Sequence, residues 1–250
     1  MATHTPFSEI FDEYYTLFRG QVQTIANTDP EWLVGIRLAN QAIRKHARAD
    51  GQLWREFIVT LQAQAAETPA IVKTLVGGTV NYICPTNMRK PPYKVRFYNG
   101  STTDDITVID PQNIQKYTDT STFVWFEGSA TSGYIMHVST AYSNQRAGWA
   151  FDYIYIKNPE VMAIATPATA GTFIPELSDP NFIIQDMLAS RYANSRNGFG
   201  YKTAKADAQT ALANMKIENN SGMFNQVEDW FKGSGWGAPI NGGSGLEMSL

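Results

Sequence analysis

Thr74–Pro85 reads TLVGGTVNYICP, two β-prone runs on either side of Gly77-Gly78, the second closing in Tyr82-Ile83-Cys84-Pro85. A Gly-Gly pair between such runs predicts a two-residue hairpin, with strands over 71–76 and 79–84. What surrounds this stretch decides the fold class. Aromatic-rich helical periodicity precedes it, further β-runs follow it, and helical periodicity returns before a Gly-rich end. That order predicts an α+β chain in which a small antiparallel β-barrel or sandwich, residues 70–160, is inserted into a helical bundle frame, residues 5–68 and 178–218. Residues 161–177 then form a connecting loop and 219–250 a flexible tail.

Upstream, Phe7, Ile10, Phe11, Tyr14, Leu17 and Phe18 recur at helical spacing with Ser8, Glu9, Asp12 and Glu13 opposite, which predicts an amphipathic helix over 7–25. Asp29-Pro30-Glu31 is a helix start, a capping carboxylate followed by Pro in the first turn. Trp32, Ile36, Ala39 and Ile43 give that second helix its apolar stripe, and Arg37, Arg44, Lys45 and Arg48 gather on the other face and toward its C-terminal end. Leu53–Ala66 reads as a third helix, although Ile58-Val59-Thr60 favours a strand. Downstream, runs at 93–98, 106–109, 122–126, 134–138 and 149–156 bring the set to about seven strands, and Pro111–Tyr117 reads as a helical turn. Asp179-Pro180 opens another helix. Asn197-Gly198 breaks the chain, and Ala204, Ala208, Ala211, Leu212 and Met215 predict a last helix whose small residues permit close packing.

Composition narrows the function classes. The chain has 250 residues, a net charge of −3 and no long basic run, which argues against gripping nucleic acid through its phosphates. Cys84 is the single cysteine, so an internal disulfide framework is excluded and a reducing compartment is expected. The first residues lack the basic and apolar segments of a signal peptide, and no apolar run approaches the roughly 18 residues that cross a bilayer, so a soluble protein is expected.

A reactive centre is hard to assemble from these residues. His4, His46 and His137 stand far apart and outside any zinc-ligand spacing. Cys84 beside Pro85 reads as a buried thiol rather than a nucleophile. Asp104-Asp105 and Asp110 suggest a solvated turn more than a cation site. Asp152 and Glu127 are conceivable glycosidase carboxylates, and Tyr98, Trp125, Trp149 and Tyr155 conceivable sugar platforms, without a supporting pattern. The expectation is a non-enzyme with no cofactor and no metal.

Taken in order, the segments resemble the head–tail adaptor (connector) proteins of tailed bacteriophages. The resemblance spans residues 7 to 218. It rests on Val76-Gly77-Gly78-Thr79-Val80-Asn81-Tyr82-Ile83-Cys84-Pro85, on Lys94–Gly100, on Phe123–Gly128, on Tyr153–Pro159, on Ile174-Pro175, and on the Ala-rich helix ending at Met215, with Asn40 matching an Asn of the second helix. It implies a structural virion protein of the neck, assembled in the host bacterial cytoplasm. Copies would form a ring, twelvefold as a rule, beneath the portal protein, extend the DNA channel without specific DNA contacts, and dock the next neck or tail protein. Ring contacts of this type are head-to-tail, so two different faces of one subunit must match. The tail from Asn219 has no counterpart, but Phe224, Trp230, Phe231 and Trp236 are large anchors in a Gly-rich setting and suggest portal or neighbour contacts. The rival readings are another neck or tail protein, such as a tail-completion or tube protein, and a carbohydrate-binding β-module.

Overall fold

A computed structural model describes residues 5–22, 25–49, 54–62, 70–118 and 120–220. The chain is mixed helix and strand with small antiparallel sheets. It divides into two compact units, one of the described residues up to Glu56 and from Pro159 onward, the other of Phe57–Asn158. Phe224, Trp230, Phe231, Trp236 and His4 lie outside the described residues.

The first unit is helical, with α1 (Phe7–Arg19), α2 (Pro30–Arg48), α4 (Asn181–Asn194) and α5 (Gly198–Asn220). Helix α1 stops six residues earlier than its apolar periodicity suggests, because Gly20 takes a left-handed conformation (φ 70°) and its N–H closes on the Thr16 carbonyl. Helix α2 starts where Asp29-Pro30 places it, with the Asp29 carboxylate accepting from the Glu31 N–H at 2.8 Å. Between them, Phe7 and Phe11 meet Trp32 edge-on, at ring separations of 5.0 and 4.7 Å. Gly35 makes this possible: a Cβ there would lie 2.3 Å from the Phe11 ring.

Asn40 is buried on α2 and brackets a distant loop. Its amide donates to the Met162 carbonyl and its carbonyl accepts from the Met162 N–H, both at 2.9 Å. Lys45 pairs with Asp186 at 2.8 Å, and Arg191 forks onto Glu31 at 2.6 and 2.9 Å. Helix α5 lays Ala204, Ala208, Ala211 and Met215 inward, and the three small alanines bring it close to α4. Its buried Asn219 accepts from the Arg55 N–H at 3.1 Å.

Among its described residues the second unit holds nine strands and one short α-helix, α3 (Thr140–Gln145). Strands β1 (Ile58–Thr60), β9 (Ile154–Lys157) and β3 (Met88–Lys90) form one sheet, in the order β1-β9-β3. A second has the order β2-β7-β6, from β2 (Asn81–Ile83), β7 (Gly133–Val138) and β6 (Val124–Ser129), and a third β5-β4-β8, from β5 (Thr103–Thr107), β4 (Lys94–Tyr98) and β8 (Ala150–Asp152). All the strand pairs are antiparallel. The three sheets share one core, including Leu75, Tyr82, Phe97, Phe126, Met136, Phe151 and Tyr153, but no closed barrel forms from them.

Two expectations are corrected. Ile58–Thr60 is a strand paired with β9, not part of a third helix, as its β-branched residues favour. The 71–76 and 79–84 runs are not the arms of a hairpin. Residues 73–75 bond to the segment around β8, through Phe151 N–H to Lys73 carbonyl and Leu75 N–H to Trp149 carbonyl (both 2.8 Å), whereas β2 pairs with β7. The turn itself gives the reason. Gly78 has φ 76° but Gly77 is not in the left-handed region, and the primed turns that suit hairpins need a positive φ at the first central residue. The chain turns a corner between two sheets instead.

Cys84 sits in this core, and burial pushes its thiol up from 9.0 to about 12. Burial likewise raises the Tyr14 hydroxyl of the helical unit from 10.0 to about 12. Both groups keep their protons longer when folded than when unfolded, so their contribution is intact below about pH 9 and is lost as pH rises toward 12. The expected result is a chemical-denaturation midpoint that falls steadily over that alkaline window. At neutral pH, Cys84 should react with a thiol reagent only after denaturant is added.

Candidate interaction surface

The corner at Val76–Thr79 is held more firmly than a loop of its composition requires. Thr79 N–H closes the turn onto the Val76 carbonyl at 2.9 Å. The Tyr82 hydroxyl reaches back beneath it, accepting from the Val76 N–H at 2.9 Å and donating to the Thr79 carbonyl at 3.2 Å. From the other side comes Ser143 on α3, a fully buried residue. Its hydroxyl lies 2.7 Å from the Thr79 carbonyl and 2.9 Å from that of Val76, so one proton serves both. The spacing Val76-x-x-Thr79-x-x-Tyr82 therefore has a physical meaning: the tyrosine is placed one turn and one strand residue away, where it can close the polar groups it leaves behind.

The clamped corner still presents its tip outward. Val76 is 55% exposed, and Gly77 and Gly78 are exposed with it. Gly77 runs close beside the end of α3, where a Cβ would lie 3.7 Å from the Asn144 side chain and 3.4 Å from Ala147 just beyond the helix. An exposed apolar tip on a rigid base is suited to docking, because little freedom remains to be lost when a partner covers it. Phenylalanine at position 82 should lower stability by about 1 to 3 kcal/mol, since the Val76 amide and Thr79 carbonyl would lose a partner. Ser143→Ala should act in the same direction. Amide exchange at 76–79 should rise in both variants while exchange in β6 and β7 stays slow.

The candidate chemical groups are not brought together. Glu127 on β6 pairs with His137 on β7 at 3.0 Å, and Trp125 stacks on that imidazole at 4.1 Å. Asp152 on β8, in a different sheet, pairs with Lys73 and accepts from the Tyr98 hydroxyl at 3.0 Å. The two carboxylates thus have separate basic partners rather than a shared site. The four aromatics do not form one platform either: Trp149 lies under the Arg146 guanidinium at 4.4 Å, and Tyr155 is buried and donates to Asn87 at 3.0 Å.

Asp104 and Asp105 are in strand β5, not in a solvated turn. Alternation sends them to opposite faces. Asp105 takes Arg96 at 2.8 and 3.2 Å, and the guanidinium holds its carboxyl below the ordinary range. Asp104 accepts from Tyr142 and Arg146, both at 3.0 Å, while burial first and the Asp104 carboxylate second raise the Tyr142 hydroxyl. Asp110 caps the 3-10 turn at 111–116, accepting from the Gln112 N–H at 2.8 Å. His46 is fully buried against the Trp54 ring at 4.1 Å. Among the described residues no group of three His, Cys, Asp or Glu could hold a metal ion, and no helix is long and apolar enough to cross a membrane.

Helix α3 and its Ser143 were not legible in the sequence. The only local hint is a Ser139-Thr140 start, and Ser139 makes no side-chain cap. No protein-family model matches the chain, and no curated protein matches it.

Proposed function

We propose that this chain is a structural component of a tailed-phage virion, a head–tail adaptor. Copies assemble as a ring, twelvefold by the resemblance, under the portal, extend the DNA channel and dock the next neck or tail protein. The observation that carries the reading is the clamped corner. One of the motifs whose order and spacing carry the resemblance, Val76 to Pro85, builds a stiff element with an exposed apolar tip, held by Tyr82 from within the same stretch. Asn40 supports the reading in the same way, since the residue matched in the second helix brackets the loop at Met162. Both residues hold backbone segments in place, the kind of role a component built for assembly needs.

A titration of the full chain onto purified portal rings, followed by native mass spectrometry, tests the reading. The expected result is a discrete complex with one adaptor per portal subunit, and none on portal denatured beforehand. A chain that never binds intact portal, at any ratio, contradicts it.

A further inference from the structure

The solvent faces of α1 and α2 carry opposite charges that the subunit itself does not use. On α1, Glu9, Asp12 and Glu13 are exposed at three- and four-residue spacing. On α2, Arg37, Gln41, Arg44 and Arg48 are exposed at spacings of four, three and four. None of these six charged side chains forms an ion pair among the described residues, although Lys45, Asp186, Glu31 and Arg191 of the same unit all do.

The helix dipole accounts for Glu9 in the first turn and Arg48 in the last, since its influence fades beyond a terminal turn. It does not account for Asp12, Glu13, Arg37 or Arg44. Like charges three and four residues apart also cost each helix about 0.2 to 0.5 kcal/mol per pair. Each stripe is therefore a mild strain within one subunit, and a facing stripe of opposite sign would relieve it.

We infer that the acidic face of α1 in one copy docks on the basic face of α2 in the next. The partner is a second copy of this same chain, because it alone is certain to carry the complement of both stripes. The contact joins two different surfaces, so it is head-to-tail and repeats from copy to copy. Glu9 to Glu13 spans about 6 Å and Arg37 to Arg48 about 17 Å along their helices, so the acidic stripe fits within the length of the basic one. Leu17, half exposed beside the acidic stripe, supplies an apolar contact at its end. This inference rests on the ring reading proposed above and names the surfaces that would make the ring.

The test uses the full chain, sedimented at low salt and at about 1 M salt, where screening shortens to about 3 Å. Wild type should associate at low salt and dissociate at high salt. The triple reversal Glu9→Lys/Asp12→Lys/Glu13→Lys should weaken association at least tenfold, and so should Arg37→Glu/Arg44→Glu/Arg48→Glu. Mixing the two variants one to one should restore it, because each then offers what the other lacks. Misfolding cannot produce that rescue, and charge-neutral Gln and Asn variants at the same positions provide a milder second series. Reversals that leave association unchanged, or a mixture that stays dissociated, overturn the contact. So does a wild type that remains monomeric at low salt. Loss of binding to a labelled DNA duplex on α2 reversal, with association intact, would assign the basic stripe to nucleic acid instead. In each of these cases the portal titration still decides the adaptor reading independently.

Discussion

Asn40→Leu should destabilise the helical unit by about 2 to 5 kcal/mol, roughly the cost of leaving two buried backbone groups without partners. Leucine is close to asparagine in size and favours helix more strongly, so neither the volume nor the propensity of α2 would explain a loss. What disappears is the pair of 2.9 Å bonds to the N–H and carbonyl of Met162, whose residue is 4% exposed and beyond the easy reach of water. Asn40→Asp should also be costly, since a carboxylate accepts from the Met162 N–H but cannot donate to its carbonyl. Urea unfolding followed by helical circular dichroism checks both. A midpoint within error of wild type for Asn40→Leu would mean the loop at 162 does not depend on this bracket.

Gly128→Ala should have an effect of similar size on the β-rich unit. Gly128 is the penultimate residue of β6 in the β6–β7 ladder, opposite Tyr134, with φ 112°, outside the range that L side chains ordinarily adopt. A Cβ at this site would lie 2.1 Å from the Gly133 carbonyl oxygen, a backbone atom that can move only with the ladder. Backbone strain of about 1 to 3 kcal/mol then adds to an overpacking cost of about 1 to 3 kcal/mol. The expected result is a lower thermal midpoint together with faster amide exchange over 124–138. Gly133→Ala is the control: φ is 84° there but nothing stands within 4 Å of the added carbon, so its penalty should be the smaller one. Equal penalties would mean that the close approach at Gly128 is relieved at no cost.

The helices were legible because their signals are local. Asp29-Pro30 placed the start of α2, the three-and-four spacing of Phe7, Phe11 and Tyr14 placed α1, and the Ala stripe placed α5. Even the premature end of α1 was available, in Gly20, although the apolar period continued past it. Most strands were legible as β-runs but not as partners, while β1 was read as helix and β3 (Met88–Lys90) was not read at all. Whether Gly77-Gly78 makes a hairpin or a corner depends on which glycine takes the positive φ, and that is set by Tyr82, Ser143 and the bonding of Leu75 to Trp149.

The polar residues show the same division. Asp104-Asp105 looks like a turn because adjacent acids are rare in strands, and the cations that make a strand tolerable there, Arg96 and Arg146, come from 9 and 42 residues away. Asn40 was visible as a residue of interest, but its partner lies 122 residues along the chain. Tyr82 was marked by its place in the Thr74–Pro85 stretch. Ser143 had no mark at all, because a hydroxyl that completes a turn 64 residues upstream leaves no local pattern.

The most direct test of the adaptor reading is a cryo-EM reconstruction of the neck of intact particles, with mass spectrometry establishing that the protein is present in them. The predicted result is one closed ring of this chain directly beneath the portal, with the Val76–Thr79 corner buried against a neighbouring protein. Absence of the chain from the particle, or its placement far down the tail, would contradict it.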